Sequence, residues 1–423
     1  MKILLKSAQV IQKSSPHHGQ QVDILIRNGK IEKIAPAIPE EKDFKIIASQ
    51  QLSVSQGWVD VGTHIGEPGY EHREDFESAI RAAAAGGFTA LMPQPNTFPV
   101  VETKAAVRFI HSKTEGSPVD FFPIAALTKN CEGKEITEMY DLREAGAVAF
   151  GDGKKSVQHG GVLLRALQYV KPFDGIVLHQ ATDESVSGKG HMHEGITSTF
   201  LGLKGIPALA ESLMVQRDLS VLEYAESRLH FAHLSGKEAI ELVRKAKKKG
   251  LKVTASVPML HLAFTDEDLE DFDTNLKVSP PLRSKTDQAA IREALKDGTL
   301  DFIVSNHLPL DEEAKVLEFP YAEFGAIGLE TTFSTACTFL KKYLPLEAII
   351  HKMAEAPREI FRLPKTIIEV GAKANLTIFD PGIKWIYKEE NIRSKSKNSP
   401  QIGKEFTGKV LGIVNKNQAV WND

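Results

Sequence analysis

The segment GWVDVGTH, residues 57–64, is the first of eight similar runs that decide the fold. Each run is short and apolar, and each has the character of a strand buried within a sheet. The other seven are FTALMPQ (88–94), VDFFPIAAL (119–127), AVAFGD (147–152), DGIVLHQ (174–180), RLHFAHLS (228–235), KVTASVP (252–258) and DFIVSNH (301–307).

Amphipathic stretches that end in glycine separate these runs and predict helices. Examples are DFESAIRAAAAGG (75–87), KEAIELVRKAKKKG (237–250) and DQAAIREALKDG (287–298). Eight alternating β and α units predict an α/β protein built as a (β/α)8 barrel of the TIM type. The alternative is a doubly wound sheet, but the chain has no GxGxxG or GxxxxGK[ST] phosphate loop to support one.

Both ends of the chain predict β-structure. VDILIRNGKIEKIA (22–35) contains two alternating strands around Asn28-Gly29, which indicates a type I′ hairpin. ANLTIFDP (374–381) and KVLGIVNKNQAVWND (409–423) have the same character near the other end. Neither end has enough apolar residues to form a core alone, so we expect a small β-sandwich built from residues 1–55 and 366–423. The barrel then spans residues 56–365.

Composition excludes several classes of function. The 423 residues are 42% hydrophobic and 25% charged, with a net charge of −3. The sequence has no basic stripe, so we do not expect it to bind nucleic acid. Cys131 and Cys337 form no CxxC pair, which fits a reducing cytoplasm better than a disulfide framework. The sequence contains no run of 18 apolar residues, so we expect no transmembrane helix.

Polar residues stand where several of the predicted strands end. In a (β/α)8 barrel the carboxyl ends of the strands form the active-site face. One histidine there is more often structural, but three histidines and an aspartate at four strand ends favour a metal hydrolase. Imidazole and carboxylate ligands suit zinc or a similar divalent ion. The polar residues at or just after the strand ends are His64, Asn96, Asp152, His179, His233, Asn306 and His307.

Several long strings resemble dihydroorotases of the amidohydrolase superfamily, from about Val22 to Val420. They are EPGYEHREDFESAIRAAAAGGFTALMPQPNTFPV (67–100), GITSTFLGLKGIPALAESLMVQRDL (195–219), DTNLKVSPPLRSKTDQAAIREALKDGTLDFI (273–303), FGAIGLETTF (324–333) and VGAKANLTIFDP (370–381). The resemblance implies a metal-dependent barrel with a β-sandwich. It also implies the reversible conversion of carbamoyl aspartate to dihydroorotate in pyrimidine synthesis.

The resemblance also implies a metal centre. The family's bridging carboxylate and the two histidines of one metal position match Asp152, His179 and His233. The second position takes two histidines from strand 1 and an aspartate from strand 8, and of these only His64 is present. The implied cofactor is therefore zinc, as one ion or none, held by a partial set of ligands.

Three substitutions interrupt the family motifs. Gly62 replaces the first histidine of strand 1, and Gly66 replaces the arginine that binds the substrate carboxylate. Asn306 replaces the aspartate that serves as general base; its amide accepts a hydrogen bond but carries no proton at neutral pH. The substrate-binding asparagines are matched by Asn96 and Asn275, although Asn96 is equally well explained as a turn residue.

The coordinated loss of a ligand, the arginine and the base favours a catalytically impaired or inactive dihydroorotase homologue. Some such chains serve as scaffolds for aspartate carbamoyltransferase, which makes that enzyme a candidate partner. The alternatives are an active dihydroorotase with a mononuclear metal site, and a hydrolase of another cyclic amide. Restoring the three family residues is expected to raise hydrolysis if the rest of the site is intact. We also expect a cytoplasmic homo-oligomer acting on a small molecule or on none.

Overall fold

The computed structural model describes residues 1–422, and the chain begins with five strands. The turn between the second and third strands has φ angles of 49° at Asn28 and 73° at Gly29. Two successive positive φ angles are what a type I′ hairpin requires, so the predicted hairpin is present. The strands are β1 (Lys2–Val10), β2 (Gln21–Arg27), β3 (Lys30–Ala35), β4 (Lys45–Ile47) and β5 (Ser53–Gln56).

Short, mostly buried strands follow, and each of the eight predicted runs contains at least one of them. Two more, β12 and β13, form a separate pair within one loop. The strands are β6 (Trp58–Thr63), β7 (Phe88–Pro93), β8 (Asp120–Phe121), β9 (Ile124–Ala125), β10 (Ala149–Phe150), β11 (Val177–Gln180), β12 (Met192–His193), β13 (Gly205–Ile206), β14 (Leu229–Ala232), β15 (Val253–Pro258) and β16 (Phe302–Val304).

Parallel pairing arranges these strands as a barrel. One ladder runs β6-β7-β8 and the other runs β9-β10-β11-β14-β15-β16. Pro123 separates β8 from β9, and its carbonyl accepts the Val148 N–H at 3.0 Å, so the two strands occupy one barrel position. The first and last positions meet where the Ser305 N–H donates to Asp60 Oδ1 at 2.7 Å. The predicted (β/α)8 barrel is therefore confirmed.

Helices connect the barrel strands, and several have ends that the sequence predicts. Asp75 caps the first helix through the Ser78 N–H, and Gly298 ends the tenth with a left-handed φ of 81°. The helices are α1 (Phe76–Ala85), α2 (Lys104–Lys113), α3 (Met139–Glu144), α4 (Gly160–Val170), α5 (Glu184–Ser187), α6 (Ile196–Phe200), α7 (Leu209–Ala225), α8 (Lys237–Lys248), α9 (Leu260–Ala263), α10 (Lys285–Asp297), α11 (Thr332–Leu340), α12 (Leu346–Ala354) and α13 (Ala356–Phe361).

Both ends of the chain join in one hydrogen-bonded sheet. The last strands are β17 (Leu376–Ile386), β18 (Glu405–Asn415) and β19 (Gln418–Trp421). The sheet order is β19-β18-β17-β5-β1-β2-β3, with β4 beside β1. The antiparallel pairing of β17 with β5 brings together segments that lie more than 300 residues apart in sequence. The expected domain boundaries at residues 55 and 365 stay a prediction.

An aromatic cluster links the barrel to the terminal sheet. Trp58 of β6 is buried, and its ring centroid lies 4.8 Å from Phe333 of α11 and 5.4 Å from Phe379 of β17. These residues belong to one continuous hydrophobic core. Within residues 1–422, no helix has the length and apolar character needed to cross a membrane.

Candidate active site at the carboxyl ends of the barrel strands

The barrel brings the predicted strand-end residues to one face. His64 follows β6, Asp152 follows β10, His233 follows β14 and Asn306 follows β16. His179 lies within β11, one residue before the end of that strand. The His64 N–H donates to the His307 carbonyl at 2.9 Å, which joins the first and last strand ends directly. Three histidines and a carboxylate therefore share the mouth of the barrel, as the sequence predicts.

Asp152 is buried, and its carboxylate accepts two hydrogen bonds from a threonine. Thr128 donates its N–H to Oδ1 at 2.8 Å and its hydroxyl to Oδ2 at 2.5 Å. Burial raises the pKa of Asp152, against the lowering effect of these hydrogen bonds. Each carboxylate oxygen has two lone pairs, so these two bonds orient Asp152 and leave it able to accept from a further group.

His179 belongs to a closed ring of hydrogen bonds. Its Nδ1 lies 2.6 Å from Asp218 Oδ2, and its Nε2 accepts the Val157 N–H at 2.8 Å. Arg217 donates to Asp218 Oδ1 at 2.6 Å and to the Val157 carbonyl at 2.8 Å, which completes the ring. Because Nε2 must accept from an amide N–H, the proton of the neutral imidazole lies on Nδ1. Both ring nitrogens are therefore engaged: Nδ1–H donates to Asp218, and the one free lone pair, on Nε2, accepts from the Val157 amide.

His233 differs from His179 because its ring has no partner. The side chain is 4% exposed, and neither nitrogen has a hydrogen bond within residues 1–422. Burial lowers the pKa of His233 to about 4, so the imidazole is neutral at pH 7. Burial is also the main cause that lowers the pKa of His64, followed by the positive charge of Lys154. The imidazoles of His64 and His233 at the mouth of the barrel are therefore neutral at pH 7.

The backbone at Gly62 and the neighbouring Gln94 account for the missing first histidine. Gly62 has a φ of 86°, a conformation that L-residues rarely adopt. A Cβ added there would lie 2.8 Å from Gln94 Nε2 and 3.6 Å from His233 Nε2. The Gln94 amide therefore lies against the space that a side chain at position 62 would enter. Its Oε1 is buried and has no hydrogen-bond partner within residues 1–422.

Gly66 stands where the resemblance implies an arginine, and the chain leaves no room for one. A Cβ added at Gly66 would lie 2.1 Å from the Tyr70 carbonyl oxygen and 2.5 Å from that of Glu74. Both obstacles are backbone atoms, which cannot rotate aside as a side chain can. An arginine at this position therefore requires the backbone at residues 70 and 74 to move; that it would help restore hydrolysis stays a prediction.

Asn306 is held by a neighbouring loop. Its φ is 51°, and its Nδ2 donates to the Ser279 carbonyl at 3.1 Å. The Ser279 hydroxyl in turn accepts from Gln180 Nε2 at 3.0 Å. These contacts fix the amide at the strand 8 end, but none of them supplies a group that takes up a proton at neutral pH.

The two candidate substrate asparagines lie in different environments. Asn96 Nδ2 donates to the Asp152 carbonyl at 3.0 Å, and a Cβ at Gly153 would lie only 1.7 Å from Asn96 Oδ1. Asn96 therefore stabilises the turn after β10, the structural alternative left open by the sequence. Asn275 lines a separate cavity of about 560 Å³ with Asp311 and Lys315, and the predicted metal ligands do not line it.

The predicted ligands do not form a metal centre as they stand. Within residues 1–422, no group of three or more histidine, cysteine, aspartate or glutamate side chains is arranged to hold an ion. Among the expected ligands, His179 has its Nε2 lone pair taken by the Val157 N–H, which an ion would have to displace. The predicted set of His64, Asp152, His179 and His233 is brought together at the mouth but does not assemble as ligands.

Sequence reasoning missed the residues that engage His179. Asp218 and Arg217 lie on α7, 39 and 38 positions beyond His179, and their segment has no motif that marks a contact with a strand end. Gln94 offers a weak signal, because a polar residue follows the buried run FTALMP directly. Only the fold shows that its amide faces Gly62.

Comparisons with known proteins agree with this architecture. Residues 52–239 match the Dihydro-orotase-like family model, and residues 174–414 match the Amidohydrolase family model. The dihydroorotase of Syntrophus aciditrophicus (strain SB) is 41% identical, covering 100% of both chains. That of Pelotomaculum thermopropionicum is 40% identical, covering 100% of this chain and 99% of the relative.

Solved structures show the same fold. An L-hydantoinase (dihydropyrimidinase) from Arthrobacter aurescens superposes with a TM-score of 0.84 at 24% identity, covering 99% of this chain and 96% of that one. A D-hydantoinase superposes with a TM-score of 0.82 at 24% identity, covering 100% and 96%. These likenesses show the barrel with its sheet domain, and the closer sequence relatives show the family. The chain belongs to the dihydroorotase family of amidohydrolases.

Proposed function

We propose that this chain is a catalytically impaired or inactive member of the dihydroorotase family, retained in the context of pyrimidine biosynthesis. The observation that carries the proposal is the closed ring around His179, in which Val157 and Asp218 use both imidazole nitrogens and Arg217 joins those two residues. A ligand held in this way must break an internal hydrogen bond before it can bind an ion.

The chemistry of cyclic amide hydrolysis explains why these losses matter. Water is a weak nucleophile until a metal lowers its pKa, and a general base must move its proton to the leaving nitrogen. Asn306 occupies the base position without a titratable group, a loss that costs about 10²–10⁴-fold in rate. Gly66 offers no guanidinium for a substrate carboxylate, so binding is weakened together with chemistry.

Two active alternatives remain proposals of lower rank. A mononuclear site on Asp152, His179 and His233 requires the Val157 N–H to leave His179 Nε2. Hydrolysis of a different cyclic amide does not need the lost arginine, but it still needs an activated water and a base. His233, whose ring nitrogens have no hydrogen bond within residues 1–422, is free to serve either alternative.

The deciding experiment measures dihydroorotate hydrolysis by the purified protein with excess zinc, beside an Asp152→Ala control. We expect no turnover above the control, and bound zinc well below one equivalent per chain after desalting. Turnover that disappears in the control would establish a working mononuclear site and overturn the proposal. Hydantoin and dihydrouracil as parallel substrates test the second alternative in the same assay.

A non-catalytic chain still needs a reason to persist, and we propose that it acts through a partner. The family resemblance suggests aspartate carbamoyltransferase, so the test is co-elution of the two proteins from the same organism in size-exclusion chromatography. We expect a joint peak that contains both chains. If the two proteins elute in separate peaks at micromolar concentration, the proposed scaffold role is wrong. Homo-oligomer formation and a cytoplasmic location stay predictions.

A further inference from the structure

A cavity lined by arginines lies at the opposite end of the barrel from the candidate active site. It has a volume of about 280 Å³, close to the lower limit of about 300 Å³ for small-molecule sites. Val148 precedes β10, Ile176 precedes β11 and Arg228 precedes β14, so the cavity opens at the amino ends of these strands. It therefore shares no residue with the strand-end cluster at the mouth.

The charges around this cavity are unbalanced. Its lining includes Arg143, Arg228 and Arg362 but only one acidic residue, Asp174. Arg362 forms an ion pair with Asp174, and within residues 1–422 neither Arg143 nor Arg228 has an ion-pair partner. Guanidinium groups that line one cavity repel one another, so an anion bound among them is favoured.

One of the arginines, Arg228, is held in place before any ligand binds. Arg228 donates to the Asp174 carbonyl at 3.1 Å and to the Ile360 carbonyl at 2.5 Å, which uses two of its five N–H groups. The Arg143 guanidinium lies 5.1 Å from the centre of the Phe173 ring and makes no hydrogen bond within residues 1–422. A cation fixed in the way of Arg228 loses little conformational entropy on binding, and Arg143, which is exposed, has all of its donors available to an anion.

We propose that this cavity binds a phosphate dianion, either free or as the ester of a small metabolite. Phosphate oxygens accept paired N–H bonds from guanidinium groups, and arginine suits that geometry better than lysine does. The small volume excludes a whole nucleotide. Asp174 opposes the ligand, because its carboxylate competes for Arg362 and repels an anion. Removing that carboxylate is therefore expected to strengthen binding.

The test is isothermal titration calorimetry of the full-length protein with inorganic phosphate, and with acetate at matched ionic strength. We expect saturable binding of phosphate and none of acetate. Arg143→Gln is expected to weaken phosphate binding at least tenfold, and Asp174→Asn to strengthen it several-fold. Arg108→Gln on α2, an exposed arginine outside the cavity, serves as the matched control and should change nothing.

Three results would overturn the proposal: no saturable binding, equal binding of acetate, or equal affinity in the Arg143→Gln protein. Methyl phosphate distinguishes the two sources of the ligand, since tighter binding than that of inorganic phosphate indicates a phosphate ester. The measurement does not depend on hydrolysis, so its outcome is separate from the fate of the proposed function.

Discussion

The clearest consequence at the scale of single residues comes from Gly66. Its missing Cβ would lie 2.1 Å from one backbone oxygen and 2.5 Å from another. We expect Gly66→Ala to lower the free energy of unfolding by about 2 kcal/mol or more, because overpacking against backbone forces the chain to shift. Urea unfolding followed by circular dichroism measures the change.

Gly161→Ala provides the matched control for that substitution. A Cβ at Gly161 would meet only the flexible end of Arg165, at 3.8 Å, and the residue lies in the first turn of α4. Alanine is favoured over glycine in helices by about 0.5–1 kcal/mol, so this variant should be as stable as the parent or more stable. Equal stability of the two alanine variants would show that position 66 has room.

At the scale of elements, the ring around His179 ties β11 to α7 and to the loop after β10. We expect Asp218→Asn to lower the free energy of unfolding by about 2–3 kcal/mol. The substituted amide presents an N–H₂ group toward a partner that is itself a donor, either His179 Nδ1–H or Arg217. Urea unfolding at pH 7 gives the value.

The control for the ring is an exposed ion pair. Asp141 lies 2.9 Å from Lys104, and both side chains are about half exposed. Asp141→Asn should change stability by less than about 1 kcal/mol, since solvent screens such pairs. A loss at Asp218 no larger than the loss at Asp141 would contradict the view that the ring fixes these elements together.

The short helix α9 carries a histidine that makes stability depend on pH. His261 is buried, its Nε2 contacts the Pro281 carbonyl at 3.2 Å, and burial lowers its pKa to about 3. The unfolded chain binds the proton near pH 6.5, so His261 favours folding fully above that pH. This contribution is lost as the pH falls from 6.5 toward 3.

His261→Gln removes that proton equilibrium and serves as the test. Between pH 8 and pH 5 the parent should lose about 2 kcal/mol more of its unfolding free energy than the variant. Urea titrations of both proteins at the two pH values give the comparison. Parallel losses in the two proteins would mean that His261 takes up its proton without unfolding.

For the whole molecule, the aromatic cluster predicts that barrel and terminal sheet unfold together. Phe379 of the sheet lies 4.9 Å from Phe333 and 5.4 Å from Trp58, measured between ring centroids. We expect tryptophan fluorescence and far-ultraviolet circular dichroism to report one coincident transition. Phe379→Ala should lower the unfolding free energy by about 3–5 kcal/mol, because it leaves a cavity in the shared core.

Phe200→Ala is the matched control, since that phenylalanine side chain is 82% exposed. Its removal should change the unfolding free energy by less than about 0.5 kcal/mol. If the fluorescence and dichroism transitions separate in the parent protein, the barrel and the sheet are independent units and the cluster does not couple them.

The fold was predictable because its signals are local and repeated. The eight strand runs and the Asn28-Gly29 turn each depend on neighbouring residues, and strand-end positions such as Asp152 and His233 follow from the barrel. The state of the site was not predictable in the same way. The contact between His179 and Asp218 spans 39 residues, and the crowding at Gly66 depends on the path of the chain through residue 74.

The crowding at Gly66 also limits how this position can be changed. A residue larger than glycine needs the backbone at residues 70 and 74 to move, because its Cβ would overlap their carbonyl oxygens. Substitution at position 66 and the path of the loop at residues 70–74 are therefore coupled. Engineering an arginine into position 66 calls for a loop redesigned in the same variant.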